Sequence, residues 1–318
     1  MSILDDEEAI RGLAVIITGA GQGIGAAHAR YLAERGASVL VADIVYENAA
    51  AVAEEITAAG GSAVAFAVDV SSWESCQAMV AAAADAFGRL DGLVNNAGVL
   101  HLQSPFDEVD IEGARRVLNV NLLGSYAAGL AAIQYMSAHS GGSIVNVTSG
   151  VQSGLTDAAS YSASKGGIAS LTYSWALDCV DRGIRVNAIS PVATTPMTIG
   201  TDQWLRGQGQ AVAEHESVDP SHNCPPVAYF LSPLSRHITG QILRTHGTTL
   251  QLVGHPVVIP PELTRDEWTI ADVAEAVDDV FAAHLPRLGM HAATVEYVQL
   301  SKFNAVPGVQ KYATDPAG

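Results

Sequence analysis

The sequence contains very little lysine, few cysteines and few aromatic residues. Its lysines are Lys165, Lys302 and Lys311, and its formal net charge is −17. Because nucleic acids and anionic membranes attract basic protein surfaces, this charge argues against both as partners. No run of about 18 apolar residues is free of polar breaks, and residues 1–11 lack the pattern of a signal peptide. These absences predict a soluble cytoplasmic protein.

The three cysteines stand at unrelated spacings and form no CxxC pair: Cys76, Cys179 and Cys224. We therefore expect neither a disulfide framework nor a zinc site, and the sequence suggests no other metal. Of the 318 residues, 48% are apolar and 15% charged, which is enough apolar material for a large buried core. Abundant alanine and glycine suit the close packing of helices on a sheet.

Short apolar, β-branched runs alternate with helical patterns along most of the chain. Strands are predicted at 13–18, 38–43, 63–68, 90–95, 143–148, 184–189 and 241–245. Helices are predicted at about 26–35, 47–59, 72–87, 112–139, 158–181 and 227–231. Such alternation is typical of βαβ units. It predicts an α/β fold, a Rossmann-like doubly wound parallel sheet with helices on both faces.

Two parts of the chain depart from this alternation. Residues 194–223 are rich in small polar residues, which predicts a mobile loop or lid. After Gly254 the composition changes, and Thr264 to Glu267 resemble the capped start of a helix that runs to about His284. We therefore predict one domain over residues 1–254 and a C-terminal extension over 255–318, packed on the same domain or on a neighbouring subunit.

A glycine-rich segment follows the first predicted strand and opens the first helix. Its pattern is Thr18-Gly19-x-x-x-Gly23-x-Gly25, and Asp43 ends the next strand. Glycines in this context let the backbone approach a pyrophosphate, which then binds at the helix N-terminus. An acid at Asp43 would accept hydrogen bonds from an adenosine ribose and repel a 2′-phosphate, which favours NAD over NADP. A tight turn and a strand-end turn residue are the alternatives.

Tyr161 and Lys165 are four residues apart in a predicted helix, so their side chains leave the same face. A phenol titrates near pH ~10, and a neighbouring cation favours its ionised form. The pair could therefore act as an acid/base near neutral pH. The alternative is a solvated pair on an exposed helix.

Taken together, these motifs resemble those of the short-chain dehydrogenase/reductase family over roughly residues 10 to 250. Further matches are Asn95-Asn96-Ala97-Gly98, Asn119-Val120-Asn121, Val147-Thr148-Ser149 and Asn187-Ala188-Ile189-Ser190-Pro191. The resemblance implies an NAD(H)-dependent oxidoreductase that interconverts a secondary alcohol and a ketone. A non-catalytic NAD-binding regulatory protein of the same fold is the alternative.

The resemblance also implies the site residues. The catalytic set would be Asn121, Ser149, Tyr161 and Lys165, with Asn121 holding a water that links Lys165 to solvent. Contacts to NAD would come from Gly19, Gln22, Gly23, Ile24, Gly25, Asp43, Asp69, Val70, Asn96, Ala97, Gly98, Tyr161, Lys165, Val192, Thr194 and Thr195.

Two positions depart from the family pattern. Ser149 stands twelve residues before Tyr161, where the family more often has thirteen, so Thr148 and, less well, Ser153 are rival hydroxyl groups. Val192 replaces the usual glycine on the nicotinamide side. Candidates for substrate contacts are His101, Gln103 and Trp204.

The substrate is less closely defined. The segment after Pro191 also resembles the (3R)-hydroxyacyl-CoA dehydrogenase domain of multifunctional β-oxidation enzymes. A sterol-like or other apolar secondary alcohol is the competing interpretation, since an acidic surface suits a CoA diphosphate poorly. Family members are commonly tetrameric, and the two long helices at about 112–139 and 158–181 would pair across a twofold axis, giving a homotetramer or homodimer.

Overall fold

The structure is a computed structural model that describes residues 9–106, 109–207 and 217–281. The chain divides into two compact units, Met1–Val253 and Gly254–Gly318. The predicted end of the last helix near His284 lies outside the described residues.

An eight-stranded sheet forms the centre of the first unit. Its strands are β1 (Ala14–Thr18), β2 (Ser38–Asp43), β3 (Ser62–Ala67), β4 (Gly92–Asn95), β5 (Gly142–Val147), β6 (Ile184–Ser190), β7 (Ile242–His246) and β8 (Thr249–Leu252). The order is β3-β2-β1-β4-β5-β6-β7-β8. The first seven strands run parallel and β8 pairs antiparallel to β7. The order reverses between β1 and β4, where the carboxyl ends of the strands leave a crevice for ligands.

Seven helices of the first unit are described. They are α1 (Gly23–Glu34), α2 (Tyr46–Ala58), α3 (Trp73–Phe87), α4 (Ile111–Ser137), α5 (Ala159–Asp178), α6 (Pro196–Gly207) and α7 (Cys224–Leu231). The predicted Rossmann-like doubly wound sheet is therefore confirmed.

The two faces of the sheet carry separate apolar layers. Successive residues of β1 point to opposite faces: Val15 and Ile17 pack with α1, α2 and α7, whereas Ile16 packs with α3, α4 and α5. Both layers are rich in alanine, so helices lie close to the sheet. This packing fixes the carboxyl ends of the strands, from which the candidate site residues extend.

Helix α4 is long and apolar enough to cross a membrane, judged by length and composition alone. Its residues Ala128, Ala132 and Met136 pack in the core against the sheet. These contacts are those of a core helix in a soluble fold. The helix also contains a π-helical stretch, Leu118–Leu123, which the continuous helical pattern of the sequence does not reveal.

Two predictions about local structure were wrong, and one strand was missed. Residues 196–207, predicted as loop, form α6, and residues 208–216 lie outside the described part of the chain. The strand β8 was not predicted. In the second unit the described helix α8 (Ile270–Ala276) starts at Thr269, whose side chain forms a capping box with Asp272, rather than at Thr264. The T-x-x-acid pattern occurs twice, and only the second directly precedes the helix.

The buried imidazole of His28 on α1 leads to a prediction about acid stability. It is fully buried, neither ring nitrogen has a hydrogen-bond partner among the described residues, and burial lowers its pKa from 6.5 to about 3. The unfolded chain therefore binds a proton below the ordinary histidine pKa while the folded chain stays neutral. Stability is fully present above that pKa and is lost as the pH falls towards the folded value.

We expect the volume-conserving variant His28→Leu to lose this acid sensitivity. Its free energy of unfolding should gain on the order of 3 kcal/mol over that of the wild type between about pH 7 and about pH 4. Urea unfolding at a series of pH values measures the difference, in which carboxylates common to both proteins cancel. If the free energy of unfolding changed with pH by the same amount in both proteins, the result would contradict this role of His28.

Candidate active site

The loop between β1 and α1 lies directly on the segment that follows β4. A Cβ atom added at Gly25 would lie 2.3 Å from the carbonyl oxygen of Gly19. Gly19 has a φ of +63°, and a Cβ atom there would lie 2.8 Å from the Cα atom of Ala97. Only glycine fits these positions, and their missing side chains leave the backbone open at this end of the sheet.

Hydrogen bonds hold this loop in place. The Asn96 side-chain amide donates to the carbonyl oxygens of Thr18 (2.9 Å) and Gly19 (3.0 Å). In return, the Thr18 hydroxyl oxygen accepts from the backbone N–H groups of Asn96 and Ala97, both at 3.1 Å. Asn96 and Ala97, predicted as cofactor contacts, thus support the loop.

The N-terminus of α1 is suited to an anion. Gln22 is the N-cap residue, and its side chain makes no capping hydrogen bond. The first N–H groups of a helix, here those of Gly23, Ile24 and Gly25, have no partner within the helix, and the helix dipole adds positive charge. This arrangement fits the pyrophosphate of a dinucleotide.

Asp43 lies beside the glycine-rich loop at the end of β2. One carboxylate oxygen accepts from the backbone N–H of Gly21 (2.9 Å) and the other from that of Val45 (3.0 Å). Each oxygen keeps a lone pair for a further donor. The charge is therefore fixed where the predicted ribose would bind.

Asp69 and Val70 follow β3. Asp69 is exposed, and its carboxylate accepts from the backbone and the hydroxyl of Ser71 at 2.9 and 2.6 Å. Val70 is buried, and a Cβ atom at Gly124 would lie 2.7 Å from its side chain. Both residues shape the turn after β3.

The three residues predicted on the nicotinamide side make different contacts. Val192 donates its N–H to Thr245 and accepts from the side chain of Asn223 at 3.1 Å, so both of its peptide groups have partners. Thr194 exchanges two hydrogen bonds with Val218, one through its hydroxyl oxygen. Of the three, Thr195 approaches the glycine-rich loop, 3.7 Å from the position of a Cβ atom at Gly23.

Tyr161 and Lys165 lie on one face of α5, beside the end of β5. The Ser149 side chain lies next to the phenol of Tyr161 and favours its ionised form. The Nζ atom of Lys165 lies 5.6 Å from the centre of the Tyr161 ring and donates to the carbonyl oxygen of Val147 at 2.8 Å. The structure thus brings a hydroxyl, a phenol and an amine together.

The pKa values of this group differ from the expectation. Burial raises the pKa of Tyr161 to about 12, although the Ser149 hydrogen bond opposes the rise. Burial also lowers the pKa of Lys165 to about 8. The predicted lowering of the Tyr161 pKa is therefore not found in the protein chain by itself, because loss of hydration dominates the shift.

The rival hydroxyl groups lie elsewhere. Thr148 is fully buried and its hydroxyl donates to the carbonyl oxygen of Ile189 at 3.0 Å. Ser153 is exposed in a short 3₁₀-helix, Gly150–Ser153. The Thr148 contact does not involve the phenol of Tyr161, whereas the Ser149 side chain lies next to that phenol.

Asn121 lies in the π-helical stretch of α4 and is fully buried. Its side chain exchanges two hydrogen bonds with the backbone of Val99, at 2.7 and 2.9 Å. It also donates to the hydroxyl of Ser164 at 3.1 Å. Ser164 was not predicted as a site residue, since its position one residue before Lys165 does not indicate a partner on another helix.

The structure also describes the three side chains that were predicted to contact substrate. His101 lies 3.5 Å from a carboxylate oxygen of Asp110, which caps α4. The backbone of Gln103 donates to Asp157 in the loop before α5. Trp204 is half-buried on α6.

Comparison with known proteins agrees with this geometry. The profile of the short chain dehydrogenase family matches residues 13–206. A cis-4-hydroxycyclohexanecarboxylate dehydrogenase of Sinomonas cyclohexanicum is 38% identical over 246 residues, covering 76% of this chain and 97% of the relative. A cyclohexanol dehydrogenase of Acinetobacter sp. strain SE19 is 40% identical over 177 residues, covering 55% of this chain and 70% of the relative.

Solved structures share the whole architecture. A short chain dehydrogenase from Mycobacterium avium superposes with a TM-score of 0.76 at 32% identity, covering 86% of this chain and 96% of its own. This chain is therefore a member of the short-chain dehydrogenase family of oxidoreductases.

Proposed function

We propose that this protein is an NAD(H)-dependent oxidoreductase that interconverts a secondary alcohol and a ketone. The observation that carries the proposal is the pairing of Tyr161 with the buried amine of Lys165, whose Nζ atom lies 5.6 Å from the centre of the Tyr161 ring, beside the Ser149 side chain. A phenol next to a hydroxyl and a cation is equipped to exchange a proton with a substrate oxygen.

The residues at the crevice fit a dinucleotide. Gly19 and Gly25 leave a cradle that a Cβ atom would fill, the α1 N-terminus would hold the pyrophosphate, and Asp43 would accept from the ribose. When bound, the nicotinamide supplies the chemistry of hydride transfer. Thr195, whose methyl group approaches the loop, is the proposed contact for its amide side.

The protein's own residues handle the proton. Ser149 orients the substrate oxygen, and in the oxidation Tyr161, as phenolate, takes the hydroxyl proton of the alcohol. Lys165, cationic below its pKa of about 8, stabilises that phenolate. In the reduction, Tyr161 gives the proton back to the ketone oxygen.

For the substrate, we propose an alicyclic secondary alcohol. Both relatives named above carry the names of dehydrogenases for cyclohexane-ring alcohols, and the net charge of −17 disfavours polyanionic substrates. A 3-hydroxyacyl-CoA and a 3-hydroxysteroid are the competing substrates.

The test is NADH formation with cyclohexanol, 4-hydroxycyclohexanecarboxylate, a 3-hydroxyacyl-CoA and a 3-hydroxysteroid. Turnover of the ring alcohols with the largest kcat/KM supports the proposal. Binding of NAD without turnover across the panel would contradict it and favour the non-catalytic alternative.

Asp43→Asn tests the choice of nucleotide. Because the carboxylate repels a 2′-phosphate, and the amide can keep one of its two backbone contacts, we expect the ratio of kcat/KM for NAD over NADP to fall by about 100-fold. Steady-state kinetics with both nucleotides measures the ratio. Glu47→Gln removes an exposed charge from the first turn of α2 and should leave the ratio unchanged; an equal shift in both variants would refute a specific role.

For the assembly, we propose a homodimer or homotetramer that pairs α4 and α5 across a twofold axis. These helices lie side by side, with the rings of Tyr126 and Trp175 5.6 Å apart, and they expose Leu123 and Leu177. Light scattering of the purified protein gives the molar mass, and a monomer would contradict this arrangement.

A further inference from the structure

The hydroxyl of Ser164 connects two helices at the candidate active site. It donates to the carbonyl oxygen of Tyr161, three residues earlier in α5, at 2.7 Å. Since its single proton is used there, the same oxygen must accept the hydrogen bond from the Asn121 amide on α4, at 3.1 Å. Both residues are fully buried, so water cannot readily replace either bond.

The side chain of Asn121 is occupied by structural contacts. Its oxygen accepts from the Val99 N–H, and its two N–H groups donate to the Val99 carbonyl and to Ser164. This pattern also fixes which side-chain atom is oxygen and which is nitrogen. The backbone carbonyl of Asn121 accepts from the Ser125 hydroxyl at 2.6 Å. The side chain therefore holds the chain after β4 rather than a reacting group.

That chain segment borders the amine of Lys165. A Cβ atom at Gly98 would lie 3.3 Å from the Asn121 side-chain oxygen and 3.7 Å from the Nζ atom of Lys165. We call the two hydrogen bonds between Asn121 and the Val99 backbone the clamp. Gly98 thus lies between this clamp and the amine of Lys165. Any rotation of the Asn121 amide would move the backbone that packs against Lys165.

We propose that Ser164 is a positioning residue for the reaction. Through Asn121 it ties the helix that carries Tyr161 and Lys165 to the Gly98–Val99 segment. The proposal rests on the proposed oxidoreductase function for its kinetic part, and on the hydrogen-bond geometry alone for its structural part.

Helix α5 offers a matched control. The hydroxyl of Thr172 donates to the carbonyl oxygen of Ile168 at 2.8 Å and accepts from the amide of Asn146 at 2.9 Å. This is the same kind of bridge, equally buried, but it leads into the core two turns away from Lys165. Removing this bridge should lower the free energy of unfolding by a similar amount without changing the hydrogen bonds of Val99.

The experiment compares the full-length variants Ser164→Ala, Ser164→Thr and Thr172→Val with the wild type. In hydrogen exchange followed by mass spectrometry, Ser164→Ala should speed exchange of the Val99 amide about tenfold, because that amide is protected by Asn121. In alcohol oxidation it should lower kcat about 10- to 100-fold with KM for alcohol and NAD little changed. Ser164→Thr, which keeps the hydroxyl, should recover most of both losses.

The outcomes separate the two levels of the proposal. Unchanged Val99 exchange in Ser164→Ala, or equal changes in exchange and kcat in Thr172→Val, would overturn the role of Ser164. A wild type that oxidises no alcohol would overturn the proposed function, while Val99 exchange would still decide whether Ser164 holds the clamp.

Discussion

Tyr161→Phe is expected to lower turnover by about 10³-fold or more while NAD binding stays close to that of the wild type. The substitution removes the phenol oxygen beside Ser149 and keeps the partly buried ring. Chemistry should therefore fail while the nucleotide site is intact.

Two measurements check this result. Single-turnover NADH formation gives the chemical rate, and calorimetric titration with NAD gives the affinity. Tyr173→Phe, on the same helix three turns further along, is the control and should keep its turnover. A Tyr161→Phe variant that retains more than about a tenth of the wild-type kcat would exclude Tyr161 as the proton-transfer group.

Ser149→Ala is expected to lower kcat/KM for the alcohol by about 10²- to 10³-fold, as loss of a donor to the reacting oxygen does. It should also shift the pH profile. Because the Ser149 hydrogen bond lowers the pKa of Tyr161, its loss raises that pKa further. Alcohol oxidation needs the phenolate, so its rise with pH should move to more alkaline values.

Thr148→Val decides between the neighbouring hydroxyl groups. Its hydroxyl donates to Ile189 in the core, so its loss should lower the free energy of unfolding by about 1 kcal/mol and leave kcat/KM nearly unchanged. Kinetics and urea unfolding of both variants test the pair. If Thr148→Val lost activity and Ser149→Ala kept it, the assignment of the catalytic hydroxyl would be reversed.

Much of the sheet could be predicted because each parallel strand is a short apolar run between turn residues. The second strand, predicted at 38–43, is Ser38–Asp43 in the structure. Helix α6 was missed because its segment is rich in small polar residues and glycine, and none of its described residues is buried. Thr195 before Pro196, with hydrogen bonds exchanged between Thr195 and Thr198, was the available signal of a helix start.

The edge strand β8 carried a similar overlooked signal. Gly247, with a φ of +56°, lies in the two-residue turn between His246 and Thr249, which pair across the hairpin. For the candidate site, the sequence motifs predicted which residues meet, but not their pKa values or all of their hydrogen-bond partners. Desolvation of Tyr161 and Lys165, and the bridge from Ser164 to Asn121, depend on how distant segments pack, and no local pattern encodes that.

Because of the π-helical stretch Leu118–Leu123, we expect α4 not to tolerate the deletion of a residue. Bonds from i to i+5 accommodate one more residue than an α-helical turn, and each helical residue turns the chain by about 100°. That extra residue lets Asn121 face Val99 and Ser164 while Ala128, Ala132 and Met136 still face the core. Deleting a single residue there would rotate one half of the helix against the other, and either the site or the core would lose its side chains. In the middle of this helix, the number of residues is under a constraint as strict as that on their identity.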